Sequence, residues 1–444
     1  MADVDTQLRP HVAVIGGGCA GLSAAVALAR AGIRTTVFES SHQLGGRARG
    51  VQWQGTTLDN GQHILLGAYA RTLELLRLCN VNPDKAMLRL PLKLEMANTF
   101  SLSCPSFLPA PLHILAGLLQ AKGLSMAERM GAIRLMVSLK INQFQLASDI
   151  PLQQFLSGQP PRVVTMLWEP LCLAALNTPL ATASTQAFLN ILRDSFARHK
   201  SDSDLLLPRM DLSTLFAGPA ANYIKTHGGE VHLNCKVEKI NFNNSSLEIS
   251  FKKETHDFSH VIIATSPFRT APLLQSLPDM EKVISQCTGL QYQPIYTIYL
   301  QYAAEIRLPE SMCGITGRLG QWVFDRGQLY GQKGLIAVVI SVEGKHQTLS
   351  QAELAIAIHH ELQAIFPHIL SRPPEWHKVI AEKRATFACV AGLDRPGQYT
   401  PHKNVVLAGD YVSTGDRLQD YPATIEGAVR SGFQAAEIIL NNIN

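Results

Sequence analysis

No apolar run in this sequence reaches about eighteen residues, the length a helix needs to cross a bilayer, so a membrane-spanning helix is not expected. The eight cysteines, Cys19, Cys79, Cys104, Cys172, Cys235, Cys287, Cys313 and Cys389, include no C-x-x-C pair. They read as reduced, mostly buried thiols of a cytoplasmic protein. There is no H-E-x-x-H pattern, and His359 and His360 are adjacent and so do not share a helix face; no metal site is expected. Neither sign of charge dominates, the formal net charge being +4 over 444 residues. No stripe interleaves basic and aromatic side chains, which argues against a nucleic-acid partner. The N-terminus carries Asp3, Asp5 and Arg9 without an apolar run, so no secretory leader is expected. What the chain does have is hydrophobic content, 46%, enough for a large core divided between two domains.

The most informative stretch is VAVIGGGCAGLSAAVALARAGIRTTVFES, residues 12–40. Residues 12–15 predict a buried parallel strand, and Gly16, Gly18 and Gly21 form a G-x-G-x-x-G turn into a helix over 22–31. Gly18 lets the backbone approach a pyrophosphate, and the helix start, with Ala20, offers unpaired N–H groups to phosphate. A second strand over 35–38 ends at Glu39, with Ser40 beside it, placed to accept hydrogen bonds from a ribose 2′-OH. LGGRARG (44–50) follows, where Gly45 and Gly46 allow an extended loop and Arg47 reaches back to the pyrophosphate. This arrangement resembles the two-dinucleotide-binding-domain flavoproteins, which implies FAD rather than NAD in the first site. No second G-x-G-x-x-G follows a convincing strand. Electron supply is therefore left to transiently bound NAD(P)H or a separate reductase.

The expected fold class is α/β: a Rossmann-like FAD-binding domain (glutathione-reductase-like) with an inserted α+β substrate domain. The first domain is read as discontinuous, over 1–95, 220–267 and 381–444. The substrate domain takes 96–219 and 268–380, with a mainly helical lid and a sheet wall. Val237 sits where the related flavoproteins place a backbone contact to adenine. A buried strand over 405–407 precedes Gly409 and Asp410, an acid placed to hold the ribityl or pyrophosphate part of a flavin. A helix beginning near Thr424 and Ile425 points its N–H groups at the flavin N1 and O2 edge. In the lid, Phe107, Leu108, Leu112, Ile114, Leu115, Leu118 and Leu119 form a proline-interrupted greasy run, either core helices or a surface that rests on a bilayer.

Five further runs narrow the reading: LDNGQHILLGAY (58–69), LWEPLCLAALNTP (167–179), SDLLLPRMDLSTLF (203–216), EKRATF (382–387) and YPATIEGAVRSG (421–432). Together they closely resemble the hydroxysqualene dehydroxylases, also called squalene-associated FAD-dependent desaturases, within the flavin amine oxidase and phytoene desaturase superfamily. The resemblance implies a bacterial enzyme of hopanoid precursor synthesis. It would turn the long isoprenoid hydroxysqualene into squalene and water with reduced FAD, next to partner enzymes of the same pathway. It also implies a cytoplasmic protein that touches the inner face of the cell membrane. The alternative is an oxidative carotenoid or phytoene-type desaturase.

Replacing an allylic hydroxyl by hydride needs a proton donor beside an apolar cavity. Glu169, in a hydrophobic helix start, is one candidate, since desolvation would raise its pKa; the other reading is a capping or arginine-paired carboxylate. Asp194 and Asp59 compete with it. Gly61, Gln62 and His63 are expected near the flavin ring, with His63 a cofactor contact or a proton donor. Tyr292, Tyr296, Tyr299 and Phe324 are candidates for an aromatic wall.

Overall fold

Five parallel strands carry the nucleotide half of the computed structural model, which describes residues 10–243 and 246–443. Their order is Glu230–His232, Arg34–Phe38, His11–Ile15, His260–Ile263 and Val405–Leu407, so three distant chain segments build one sheet. Val12, Val14, Val37, Ile262 and Val406 are fully or almost fully buried on one face. Ala13, Ile15, Phe38, Val261 and Ile263 fill the other, as expected where both faces of a parallel sheet are covered. Asp3, Asp5 and Arg9, on which the leader reading rested, lie outside the described residues.

The helix after the glycine turn runs Cys19–Arg30, three residues earlier than its periodicity predicts. Gly21 shows why no side chain is tolerated there: a Cβ would stand 1.9 Å from the carbonyl oxygen of Gly16. The final helix, Ile425–Ile443, packs across the first and is tied to the N-terminal half through Glu426. That buried carboxylate accepts hydrogen bonds from the Thr72 amide (2.9 Å), the Thr72 hydroxyl (2.7 Å) and the Arg430 guanidinium (2.8 Å).

The wall is a seven-stranded sheet ordered Trp376–Phe387, Tyr292–Gln301, Leu335–Ser341, Trp322–Asp325, Met312–Gly314, Lys93–Met96 and Phe100–Ser103. Its outer face is closed by the helix Gln351–Ile365, whose Leu354, Ile358 and Leu362 meet Ile298, Val338 and Ile340. Of the last two strands, Phe100–Ser103 comes from the start of the segment read as a mainly helical lid and Lys93–Met96 crosses the boundary expected after residue 95; they join through the Gly314 to Met96 pairing. The helices that follow are Leu112–Gln120, Met126–Ile141, Glu169–Leu176 and Thr185–Phe196. A π-turn, Val164–Trp168, leads into the third of them.

Candidate functional site

Between the two sheets lies a cavity of about 1150 Å³ that runs from Glu39 and Val237 past the glycine turn to Ile425, and on to Trp322 and Phe324. Ligand pockets commonly span about 300–1000 Å³, so there is room for a dinucleotide and a second molecule. Of the residues expected to hold the cofactor, Gly16, Gly18, Ala20, Glu39, Ser40, Gly46, Arg47, Gly61, Gln62, His63, Val237, Gly409, Asp410, Thr424 and Ile425 all line it. Gly21 does not, because it is consumed by the contact with Gly16.

Gly18 behaves differently from Gly21: a Cβ there would meet nothing within 4 Å. Packing does not demand that glycine, and the open space above it belongs to the cavity. The Glu39 carboxylate accepts from the amides of Gly17 and Ser41, both at 2.7 Å, which aims it across the mouth of the turn. Arg47 donates to Asp410 at 2.7 Å and to the carbonyl of Ala385 at 2.7 Å. The expected phosphate cation and the expected ribityl acid thus hold each other across the void, joining the first and last pieces of the nucleotide half. Thr424 accepts from the Gly427 amide at 3.0 Å at the start of the final helix, whose first turn lines the cavity through Ile425 and Ala428.

The three carboxylates considered as proton donors stand outside the lining. Asp59 is buried beneath the floor, where it pairs with Arg326 at 3.1 Å and accepts from the Leu212 amide at 2.9 Å. Arg326, fully buried, also donates to Gln62 (2.9 Å) and Gln332 (2.6 Å) and lies 3.7 Å from the centroid of the Tyr330 ring. Asp194 pairs with Arg193 at 3.0 Å and with Arg430 at 3.4 Å, and accepts from the Tyr421 hydroxyl. These contacts leave Asp59 and Asp194 engaged as structural ions. Burial raises the pKa of Glu169, as the sequence predicts, but the cavity face of its helix is formed by Leu173, Ala174 and Ala175.

His63 does reach the cavity. Its Nδ1 lies 2.9 Å from the Gly61 carbonyl, which only accepts, so Nδ1 carries the proton. Burial pulls its pKa below the ordinary histidine range. Two cavity acids escaped the sequence reading: Glu238, and Glu382, which accepts from the Asn60 side-chain amide at 3.3 Å. Glu39 and Glu238 lie by the adenosine end and Asp410 is paired, leaving Glu382 beside the NGQH turn. Alternation along its strand was the available signal, but EKR reads as a solvated charge run. Of the aromatic candidates, Tyr292 and Phe324 line the void, whereas Tyr296 packs on His346 and the Tyr299 hydroxyl donates to the Asp59 carbonyl.

Burial also lowers the pKa of His113, His260, His346 and His359. A depressed folded pKa means the unfolded chain binds more protons in the interval below about 6.5. The stabilisation is complete above that value and lost as pH falls through the folded values. Urea midpoints are therefore expected to decline steadily from about pH 7 to about pH 5; a flat profile over that interval would contradict the burial of these rings.

The family model described as flavin containing amine oxidoreductase matches residues 19–440. The hydroxysqualene dehydroxylase of Zymomonas mobilis is 28% identical over 448 residues, covering 97% of this chain and 99% of that protein. The zeta-carotene desaturase of Solanum lycopersicum is 24% identical, covering 97% and 81%. Among solved structures, an oxidoreductase from Methanosarcina mazei superposes with a TM-score of 0.73 at 20% identity, covering 96% of this chain and all of that one. Putrescine oxidase bound to putrescine gives 0.71 at 16%, covering 98% and 99%.

Proposed function

Because the chain belongs to the flavin containing amine oxidoreductase family, and is thereby a FAD-dependent oxidoreductase, we propose that it removes the allylic hydroxyl of hydroxysqualene reductively, giving squalene and water. The observation that carries this reading is the single void with two chemistries. One end offers the glycine turn, Glu39 and the Arg47–Asp410 pair to a dinucleotide; the other offers Leu173, Ile295, Trp322, Phe324 and Val339 to a hydrocarbon. Similarity over nearly the full length of the dehydroxylase relatives supports it.

Reduced FAD, when bound, supplies the hydride. The open space at Gly18 and the donors around it fit the pyrophosphate, and Glu39 the adenosine ribose. The C–O bond breaks as the oxygen is protonated, water leaves, and a C–H bond replaces it. The apolar wall excludes solvent water from the allylic cation, and the faces of Tyr292 and Phe324 stabilise its charge. Proton delivery falls to Glu382, the unpaired acid of the lining beside the NGQH turn, since the His63 Nδ1–H is committed to the Gly61 carbonyl. His63 lines the site, its ring held through Nδ1 by the Gly61 carbonyl. NAD(P)H or a separate reductase supplies electrons, and neighbouring pathway enzymes supply the alcohol to a cytoplasmic protein at the inner membrane face.

Anaerobic single turnover tests the proposal. Reduced, FAD-loaded protein is mixed with hydroxysqualene while the flavin spectrum and extracted lipid are followed. Flavin reoxidation matched by squalene formation is the expected result. Persistent reduced flavin with intact alcohol rejects the dehydroxylase reading; formation of a new double bond by the oxidised enzyme on a polyene substrate would replace it with a desaturase.

A further inference from the structure

Two helices of the lid each present apolar side chains that no described residue buries. On Met126–Ile141, residues Ala132, Met136 and Leu139 face the core. On another face Met126, Val137 and Ile141 are exposed, Ile141 by 74%, with Met130 and Ile133 half-buried between them at helical spacing. The neighbouring helix Leu112–Gln120 repeats the pattern, with Leu112 and Leu119 outward, and Phe107 ahead of it is 82% exposed. Between the helices opens a groove of about 310 Å³ lined by Ile114, Leu115, Met136, Val137 and Phe144. A helix apolar on two faces is unusual for a surface element, and a contiguous exposed patch of this kind marks an interaction site.

The charges around the stripe say what covers it. Arg134 flanks it on one side and Lys140 on the other, by helical position; Lys122 is exposed just ahead of the helix, and Arg198 is exposed directly after Phe196 and Ala197, which line the groove. Between Cys104 and Ala147 the only acid is Glu128. Its carboxylate accepts from the Ser125 amide at 2.7 Å, serving the helix start. An apolar face bordered by long basic side chains matches the acyl boundary and anionic headgroups of a bilayer, with the lysine and arginine stems lying along the hydrocarbon.

We propose that the face formed by Phe107, Leu119, Val137 and Ile141 docks on an anionic lipid surface, with Arg134 and Lys140 at the headgroups. This rests on the membrane contact included in the functional reading above and assigns it to one surface; it does not depend on which reaction the flavin performs. Being apolar and open to solvent, the groove would then face acyl chains, the phase in which a squalene-like molecule dissolves.

The full chain, flavin-loaded, is floated with vesicles of equal parts phosphatidylcholine and phosphatidylglycerol, and with vesicles of phosphatidylcholine alone. The wild type is expected to float with the anionic vesicles and less with the neutral ones. The pair Phe107→Ser and Ile141→Ser should lower partitioning by about tenfold or more. The pair Arg134→Gln and Lys140→Gln should remove the preference for anionic lipid. Unchanged flavin content and melting temperature control for folding at these exposed sites. Flotation that survives both pairs overturns the assignment and leaves membrane contact through another face. No flotation of the wild type overturns the contact itself. A dimer by light scattering that Ile141→Ser dissociates, without flotation, would show that a second copy covers the face.

Discussion

Arg326→Met is expected to destabilise the protein by about 3–5 kcal/mol, because it strands the Asp59 carboxylate in a site with no water to replace its partner. Asp59 and Arg326 are 1% and 0% exposed. A lost surface pair would cost about 1 kcal/mol or less. The paired change Asp59→Leu with Arg326→Met should recover much of the loss, as removing both charges removes the uncompensated one. Urea denaturation of the three variants at neutral pH checks this. If the single variant unfolds within about 1 kcal/mol of wild type, the pair is not isolated from solvent. Because Arg326 also holds Gln62, and Gln62 lines the cavity, weaker flavin retention should accompany the loss of stability.

Glu382→Gln is expected to lower turnover by about 10²–10⁴-fold, the range for loss of a general acid, with little change in flavin content. The isosteric amide still accepts from Asn60, so the NGQH turn keeps its support. Glu169→Gln and Asp194→Asn should slow single turnover far less, since neither side chain lines the void. A Glu382→Gln enzyme with wild-type single-turnover rates would move the proton donor elsewhere, and a comparable loss in Glu169→Gln would point to that residue. Solvent isotope effects on the same step separate a proton-transfer defect from a binding one.

The nucleotide half was legible because its signals are local. The strand at His11–Ile15, its glycine turn and the acid at Glu39 fall within one short stretch, and the strand Val405–Leu407 is a buried run ahead of Gly409 and Asp410. The wall was half legible. Leu335–Ser341 reads as a buried strand and is one, but Lys93–Met96 and Phe100–Ser103, which pair with each other, join the sheet only through the distant pairing of Met96 with Gly314. The Asp59 to Arg326 pair spans 267 positions, and an arginine that ends fully buried looks in sequence like any surface arginine. Glu382 was hidden by its own neighbours, Lys383 and Arg384, since such a charge run reads as solvated surface although all three residues line the void.

The bond between Arg47 and Asp410 joins residues 363 positions apart, and Glu426 reaches Thr72 over 354. Ribosomes deliver the glycine turn early and its opposing floor late. A nascent chain that stops short of the Val405–Leu407 strand holds one jaw of a clamp and nothing to close against it. Flavin uptake should therefore follow synthesis of that late segment rather than accompany synthesis of the first domain. Until then the emerging chain exposes an apolar sheet edge at His260–Ile263, awaiting its last neighbour, and a chain truncated before that neighbour would be lost to aggregation or proteolysis at that edge.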